Sequence, residues 1–243
     1  MKHFILTFTY CVVIGTTQLL AQARQLRPQF VTQNYAMNQL IRLTEQQKAL
    51  MEAGIDSYLH KEWRPGAVFL QRGDSVKAFT ASALRYNVRK ERVEIGESPR
   101  SQFAIGYYND LILKKFELYN PSTKTTHYFV RCNILKLPDH SKGFVEILYR
   151  GKQINLYKKT VTLLKKIDKQ RIGNDGDETI AVKRYHYYWE KDGKIIRLKK
   201  SKRFILRQMG DKTSQVKAFV KKNKLRYRRD RDLVLILKYY DAL

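Results

Sequence analysis

Cysteine is nearly missing from this chain: Cys11 and Cys132 are the only two among 243 residues. Cys11 lies in the leading stretch MKHFILTFTYCVVIGTTQLLAQA, which carries Lys2, an apolar run from Phe4 to Ile14, and then Ala21-Gln22-Ala23. That order is expected of a secretory signal peptide, residues 1–23, cut after Ala23. Cleavage leaves Cys132 alone, which excludes an intramolecular disulfide and requires an apolar core to supply the stability. Long hydrophobic runs are absent too. The leading run is too short to cross a bilayer and is ended by Thr16, Thr17 and Gln18, so a span is not expected after cleavage. Proline (5) and glycine (12) are sparse, with no low-complexity tract, no internal repeat and no linker between a β-rich part and a helical end. The expected organisation is a mobile leader over 24–34 and one domain over 35–243, β-rich from 63 to 199 and helical from 201 to 243. About 220 residues can bury roughly 70% of their unfolded surface, enough for such a domain without staples.

Acidic residues are the other shortage. There are 22 against 48 Lys and Arg, a formal net charge of +26, and most of the excess lies between Arg150 and Leu243. Such a surface draws anions from a distance, with a strength that salt reduces. With export, the expected location is the periplasm or the outside. The matching partners are anionic lipid, acidic polysaccharide or an acidic protein of the envelope, with specific nucleic acid not expected.

Catalytic signatures are also lacking. G-x-S-x-G, H-E-x-x-H, a P-loop and G-x-G-x-x-G do not occur. The mature histidines are His60, His127, His140 and His186. Alternation along HYFVRCNI would put Tyr128, Val130, Cys132 and Ile134 on one strand face and Phe129, Arg131 and Asn133 on the other, leaving Cys132 without His127. Asp139-His140-Ser141 holds suitable residue types, but triad members meet through the fold rather than in sequence. GNDGDE (173–178) fails the EF-hand spacing. No cofactor and no metal are expected. A hydrolase or transferase of unrecognised type, with its site near Asp139, His140 and Glu146, is the alternative.

Periodic pattern fills the rest. Helical spacing from Tyr35 to Ala53, with Gly54 as a stop, predicts an N-terminal helix. VFL and KAFTASALRYN, around Gln71-Arg72-Gly73-Asp74, predict a hairpin with a longer turn. GFVEILY with QINLYKK and YHYYWE with KIIRLK predict two more, the last turning on Asp192-Gly193. Tyr185, Tyr187 and Trp189 share one face of their strand, suited to core packing or to a platform for sugar or lipid. Three helices should close the chain: one capped by Ser201 and stopped by Gly210, one begun by Asp211 or Ser214 and ended near Asn223, and one capped by Asp230. The expected class is α+β: a curved antiparallel sheet, as a sandwich or open barrel, with an N-terminal helix and a C-terminal cluster of short basic helices.

Lys217, Lys221, Lys222, Lys224, Arg226, Arg228 and Arg229 crowd the join of the last two helices, beside Tyr227. They are the candidate anion-binding residues. Along a phosphate backbone they would make an extracellular nucleic-acid binder. The join is longer than a helix-turn-helix turn and export removes the chain from the chromosome, so a solvated basic face is favoured over specific nucleic-acid recognition.

The W-x-x-G-x-V-x-L opening (Trp63, Gly66, Val68, Leu70), Leu84-x-Tyr86-Asn87, GFVEILYRG at 143–151, KKNKL at 221–225 and the terminal YYDAL resemble a family of exported proteins from Bacteroidota-type bacteria. That family often ends in a YYN-like motif where this chain has Asp241. The resemblance implies an envelope role and transfers no site. The expected function is therefore non-catalytic binding or scaffolding at an anionic envelope surface or an acidic partner.

Overall fold

In a computed structural model the described residues are 40–42, 57–108, 111–139, 141–168 and 177–243. Eleven strands build one antiparallel sheet: β1 (Leu40–Arg42), β2 (Arg64–Arg72), β3 (Ser75–Asn87), β4 (Arg92–Ile95), β5 (Gly106–Tyr108), β6 (Leu113–Asn120), β7 (Thr125–Arg131), β8 (Phe144–Arg150), β9 (Ile154–Asp168), β10 (Asp177–Lys191) and β11 (Lys194–Leu198). Their spatial order is β1-β5-β4-β3-β2-β6-β7-β8-β9-β10-β11. From β6 to β11 the order is a plain meander. The helices are α1 (Cys132–Leu135), α2 (Lys202–Gln208), α3 (Thr213–Lys222) and α4 (Asp230–Ala242), with a 3-10 turn at Gly210–Lys212. The class is α+β, with the long helices at the C-terminus. No described helix is long and apolar enough to cross a membrane.

Three hairpins follow from their turns. Arg72 pairs Ser75 across a two-residue turn in which Gly73 has a positive φ of 55°, tighter than the longer turn expected. Lys191 pairs Lys194 with Asp192 and Gly193 both at positive φ, as a twisted two-residue hairpin requires. The β8–β9 loop is fixed from a distance: Asp241 accepts the N–H of Lys152 (2.8 Å) and Gln153 (2.6 Å) and the hydroxyl of Tyr149 (3.1 Å). Burial opposes ionisation of Asp241, but these donors outweigh it and hold the carboxyl below its usual range. Asp241→Ala is expected to cost about 1–2 kcal/mol in urea denaturation, and Asp241→Asn, which keeps one acceptor, less.

Two expectations fail. The helix over 35–53 meets a strand at Leu40–Arg42, paired with Gly106–Tyr108; its remaining residues, like 1–34, lie outside the described residues. The HYFVRCNI strand stops at Arg131, and Cys132 opens α1. Lys136 at positive φ then ends that turn. Both Phe129 and Val130 are buried, because the sheet is covered on both faces here. Phe129 stacks on Phe116, ring centroids 4.4 Å apart, in a cluster with Tyr86 and Phe144. Val130 joins Cys132, Val145, Tyr157 and Tyr188 on the opposite face.

A third cluster joins sheet to helices. Leu156, Trp189 and Leu198 pack under Ile205, Val216, Leu233, Ile236 and Tyr240, and Phe219 stacks on Tyr239 at 4.0 Å. Ser201 caps α2 by accepting the N–H of Phe204 (3.3 Å), as its position before an apolar run suggests. Tyr187 and Trp189 do face this core, whereas Tyr185 is about half exposed.

Candidate anion-binding surface

The seven candidate cations owe their positions to two backbone devices. The first ends α3: Asn223 donates its side-chain amide back to Phe219 O (2.9 Å), and Lys224 adopts a positive φ of 51°. The N–H of Leu225 then reaches Val220 O (3.0 Å), the bond that closes a helix with a left-handed residue. The second fixes the loop: the N–H of Arg226 donates to Asp232 (2.9 Å), and that of Arg229 to Arg226 O (3.1 Å). Neither device uses a basic side chain. Lys217, Lys221, Lys222, Lys224, Arg226, Arg228 and Arg229 are all exposed, and among the described residues no carboxylate stands within 4.0 Å of the charged end of any of their side chains.

The structure divides this set. Arg226, Arg228 and Arg229 gather with Ser201, Lys202 and Tyr227 around a hollow of about 440 Å³. Lys217, Lys221, Lys222 and Lys224 belong to α3 and its end, and do not line it. Ser201 and Lys202 were not readable as members, since they arrive from the start of α2. Tyr227 is half-buried against the helical core, and its hydroxyl is pushed up by burial.

Directly beyond the hollow, Asp230 corrects the sequence reading. It is the first residue of α4 but makes no cap. Its carboxylate instead accepts from Lys158 (2.8 Å), Lys200 and the hydroxyl of Tyr187 (2.9 Å). Burial opposes its charge, yet the hydrogen bonds from the two lysines hold the carboxyl below its usual range. The one carboxylate thereby offsets part of the charge of Lys158 and Lys200, whereas the loop arginines have no acid at their guanidinium groups among the described residues.

Asp139 and Glu146 lie on opposite faces of the sheet. Glu146 shares a row with Lys158 and Tyr187, and accepts from His127 Nδ1 at 2.6 Å. Asp139 bonds Ser141 (2.7 Å) and the hydroxyl of Tyr188, the next residue on β10 and therefore on the other face. The expected Asp139, His140, Glu146 cleft does not form from Asp139 and Glu146, and His140 lies outside the described residues. Most of 173–178 lies outside as well. Cys132 is buried, and burial pushes its thiol up even though Lys159 Nζ sits 3.7 Å away. It is no activated nucleophile.

One cluster was not legible. The rings of His60 and His127 meet edge to face at 5.8 Å, joining a segment before β2 to the Glu146 row. The His60 segment is held by Leu59 N–H to Tyr86 O (2.9 Å) and by Arg85, whose guanidinium lies over Tyr58 (3.6 Å) and Trp63 (4.0 Å). Burial, then the charge of Arg64 and of His127, lowers His60 to about 4. Among the described residues no three His, Cys, Asp or Glu side chains form a metal site.

Comparison with family models, with curated proteins and with solved structures gives no match.

Proposed function

We propose that this is an exported, non-catalytic binding or scaffolding protein that docks on anionic headgroups of the envelope through the α3–α4 junction. The observation that carries the reading is seven exposed cations without acidic partners on a backbone braced by other groups. Cations fixed in this way attract without first breaking internal ion pairs, and they lose little backbone entropy on docking. The hollow at Arg226, Arg228 and Arg229 offers a place where a phosphate could be gripped, and Tyr227 gives it an apolar floor. The leading segment supports export after cleavage at Ala23, and the β-bulges between Arg64 and Gly66, Phe69 and Leu70, and Ile147 and Tyr149 support a sheet curled as an open barrel or sandwich.

The test is charge reversal at Lys221, Lys222 and Arg228, all exposed. The triple variant should keep its unfolding midpoint and lose about tenfold or more in affinity for vesicles with anionic lipid, given ~1 kcal/mol per cation near such a surface. Unchanged vesicle binding would remove these residues. Binding to acidic polysaccharide or DNA instead of vesicles would transfer the same face to another polyanion.

A further inference from the structure

We propose that the His60, His127 and Glu146 cluster forms one wall of a second binding site, separate from the C-terminal face, for a small tetrahedral oxyanion: inorganic phosphate or the head of a phosphate monoester. The first reason is a concentration of unused donors. Four buried side-chain polar atoms lack a hydrogen-bond partner among the described residues: Arg64 Nη1, Arg85 Nε, Thr162 Oγ1 and Trp189 Nε1. One of these, on Arg64, borders this cluster, and another, on Thr162, lies on the strand pair that reaches it through Lys183. Arg64 is close enough to His60 for its charge to act on the ring, and its side chain is 12% exposed. Glu62 stands 4.0 Å from Nη2 with its side chain 75% exposed, and Nη1 has no partner among the described residues. Thr162 stands across from Lys183 on the β9–β10 ladder, so their side chains emerge on the same face. Lys183 Nζ donates to Leu59 O at 3.0 Å, one residue before His60.

The second reason is the sign of the charge. Arg64 and Lys183 bring two cations, while the acid facing His60, Glu146, is engaged by His127. Lys61 and Glu62 flank Lys183 from the same segment and offset each other. A buried guanidinium N–H and a buried hydroxyl without acceptors are costly unless an acceptor arrives. A tetrahedral oxyanion presents several acceptor oxygens at once, and guanidinium matches it in bidentate fashion. A cation would meet Arg64 and Lys183 with repulsion.

The third reason links occupancy to protonation. Burial and the positive neighbours keep His60 neutral above about pH 4. An anion placed between Arg64 and the rings reverses that balance and favours the imidazolium, so binding takes up a proton and tightens as pH falls toward that range. Glu146 keeps His127 oriented throughout.

The experiment uses the whole chain, with sulfate as a probe that does not titrate and inorganic phosphate and phenyl phosphate beside it. NMR of the imidazole signals at pH 6 is expected to show a saturable shift at His60 and His127 with each probe, and a His60 titration displaced upward from about 4. Arg64→Gln and the isosteric Thr162→Val should each weaken sulfate about tenfold, the loss of one hydrogen bond to a charged group. The Lys221, Lys222, Arg228 charge-reversal variant should bind sulfate here as the unmodified protein does, which separates this site from the envelope-facing one. No saturable shift at His60, equal binding by a folded Thr162→Val, or loss in the charge-reversal variant instead would each overturn the proposal. If phenyl phosphate binds and inorganic phosphate does not, the site takes esters.

Discussion

Asp230→Ala is expected to lower the unfolding free energy by about 2–3 kcal/mol, and the thermal midpoint by roughly 5–10 °C. The substitution strips Lys158, Lys200 and Tyr187 of a shared acceptor and leaves two ammonium groups facing each other where α4 meets the sheet. A buried pair broken on one side costs 3–5 kcal/mol in general. The side chain of Asp230 is 30% exposed, so solvent reduces that figure. Asp232→Ala, which removes only an acceptor for the exposed N–H of Arg226, should cost well under half as much. Differential scanning calorimetry of the two variants decides the matter. Equal losses would mean that the Asp230 contacts contribute no more than an ordinary loop hydrogen bond. Acid gives the same reading independently. Asp230 and Asp241 are both held below their usual carboxyl value of 3.8. Their stabilisation is present above that pH and is lost as pH falls through the lowered values.

Gly66→Ala should be at least as damaging, about 3 kcal/mol or more, with insoluble protein as the extreme outcome. A Cβ on Gly66 would lie 2.0 Å from the carbonyl oxygen of Glu117 and 3.0 Å from its carbon. Both are backbone atoms of β6, paired with β2 through Gly66 and Leu118, so no side chain can swing aside. Relief requires the two strands to separate where the Phe116 cluster begins. Gly73→Asn supplies the contrast. Its φ, unlike that of Gly66, is positive, at 55°, but an added Cβ meets nothing within 4 Å, and Asn tolerates that backbone. A small change there beside a large loss at Gly66 would show that close approach, not turn geometry, fixes the glycine of the Trp63-x-x-Gly66 opening.

These positions show what could be read from sequence. The Asp192-Gly193 turn, the Ser201 cap, the Asn223 stop and the i, i+3, i+4, i+7 row of Leu233, Ile236, Leu237 and Tyr240 are local signals, decided within a few residues, and each is found in the structure. The exposed basic join was legible for the same reason. What could not be read depends on distant partners. Leu40–Arg42 lies among helix-spaced leucines, yet β5 offers it an open edge, and such tertiary pairing overrides a helical pattern. Cys132 looked like a strand residue because alternation continues in sequence beyond the point where Lys136 at positive φ closes a turn. Asp230 had the chemistry of a cap, but three donors 30 to 72 residues away claim its carboxylate. The meeting of His60 with His127 and Glu146 requires β2 and β8 to share one sheet, which no spacing announces.

The proposal that free cations at the α3–α4 junction hold this protein on an anionic surface is tested most directly by a salt series. The purified protein is sedimented with vesicles of purely zwitterionic lipid and with vesicles containing anionic lipid, from low to high ionic strength. Expected is little sedimentation with the zwitterionic set and strong sedimentation with the anionic set, weakening steeply as salt shortens the reach of the charges. Equal binding to both sets, or anionic binding indifferent to salt, would contradict it.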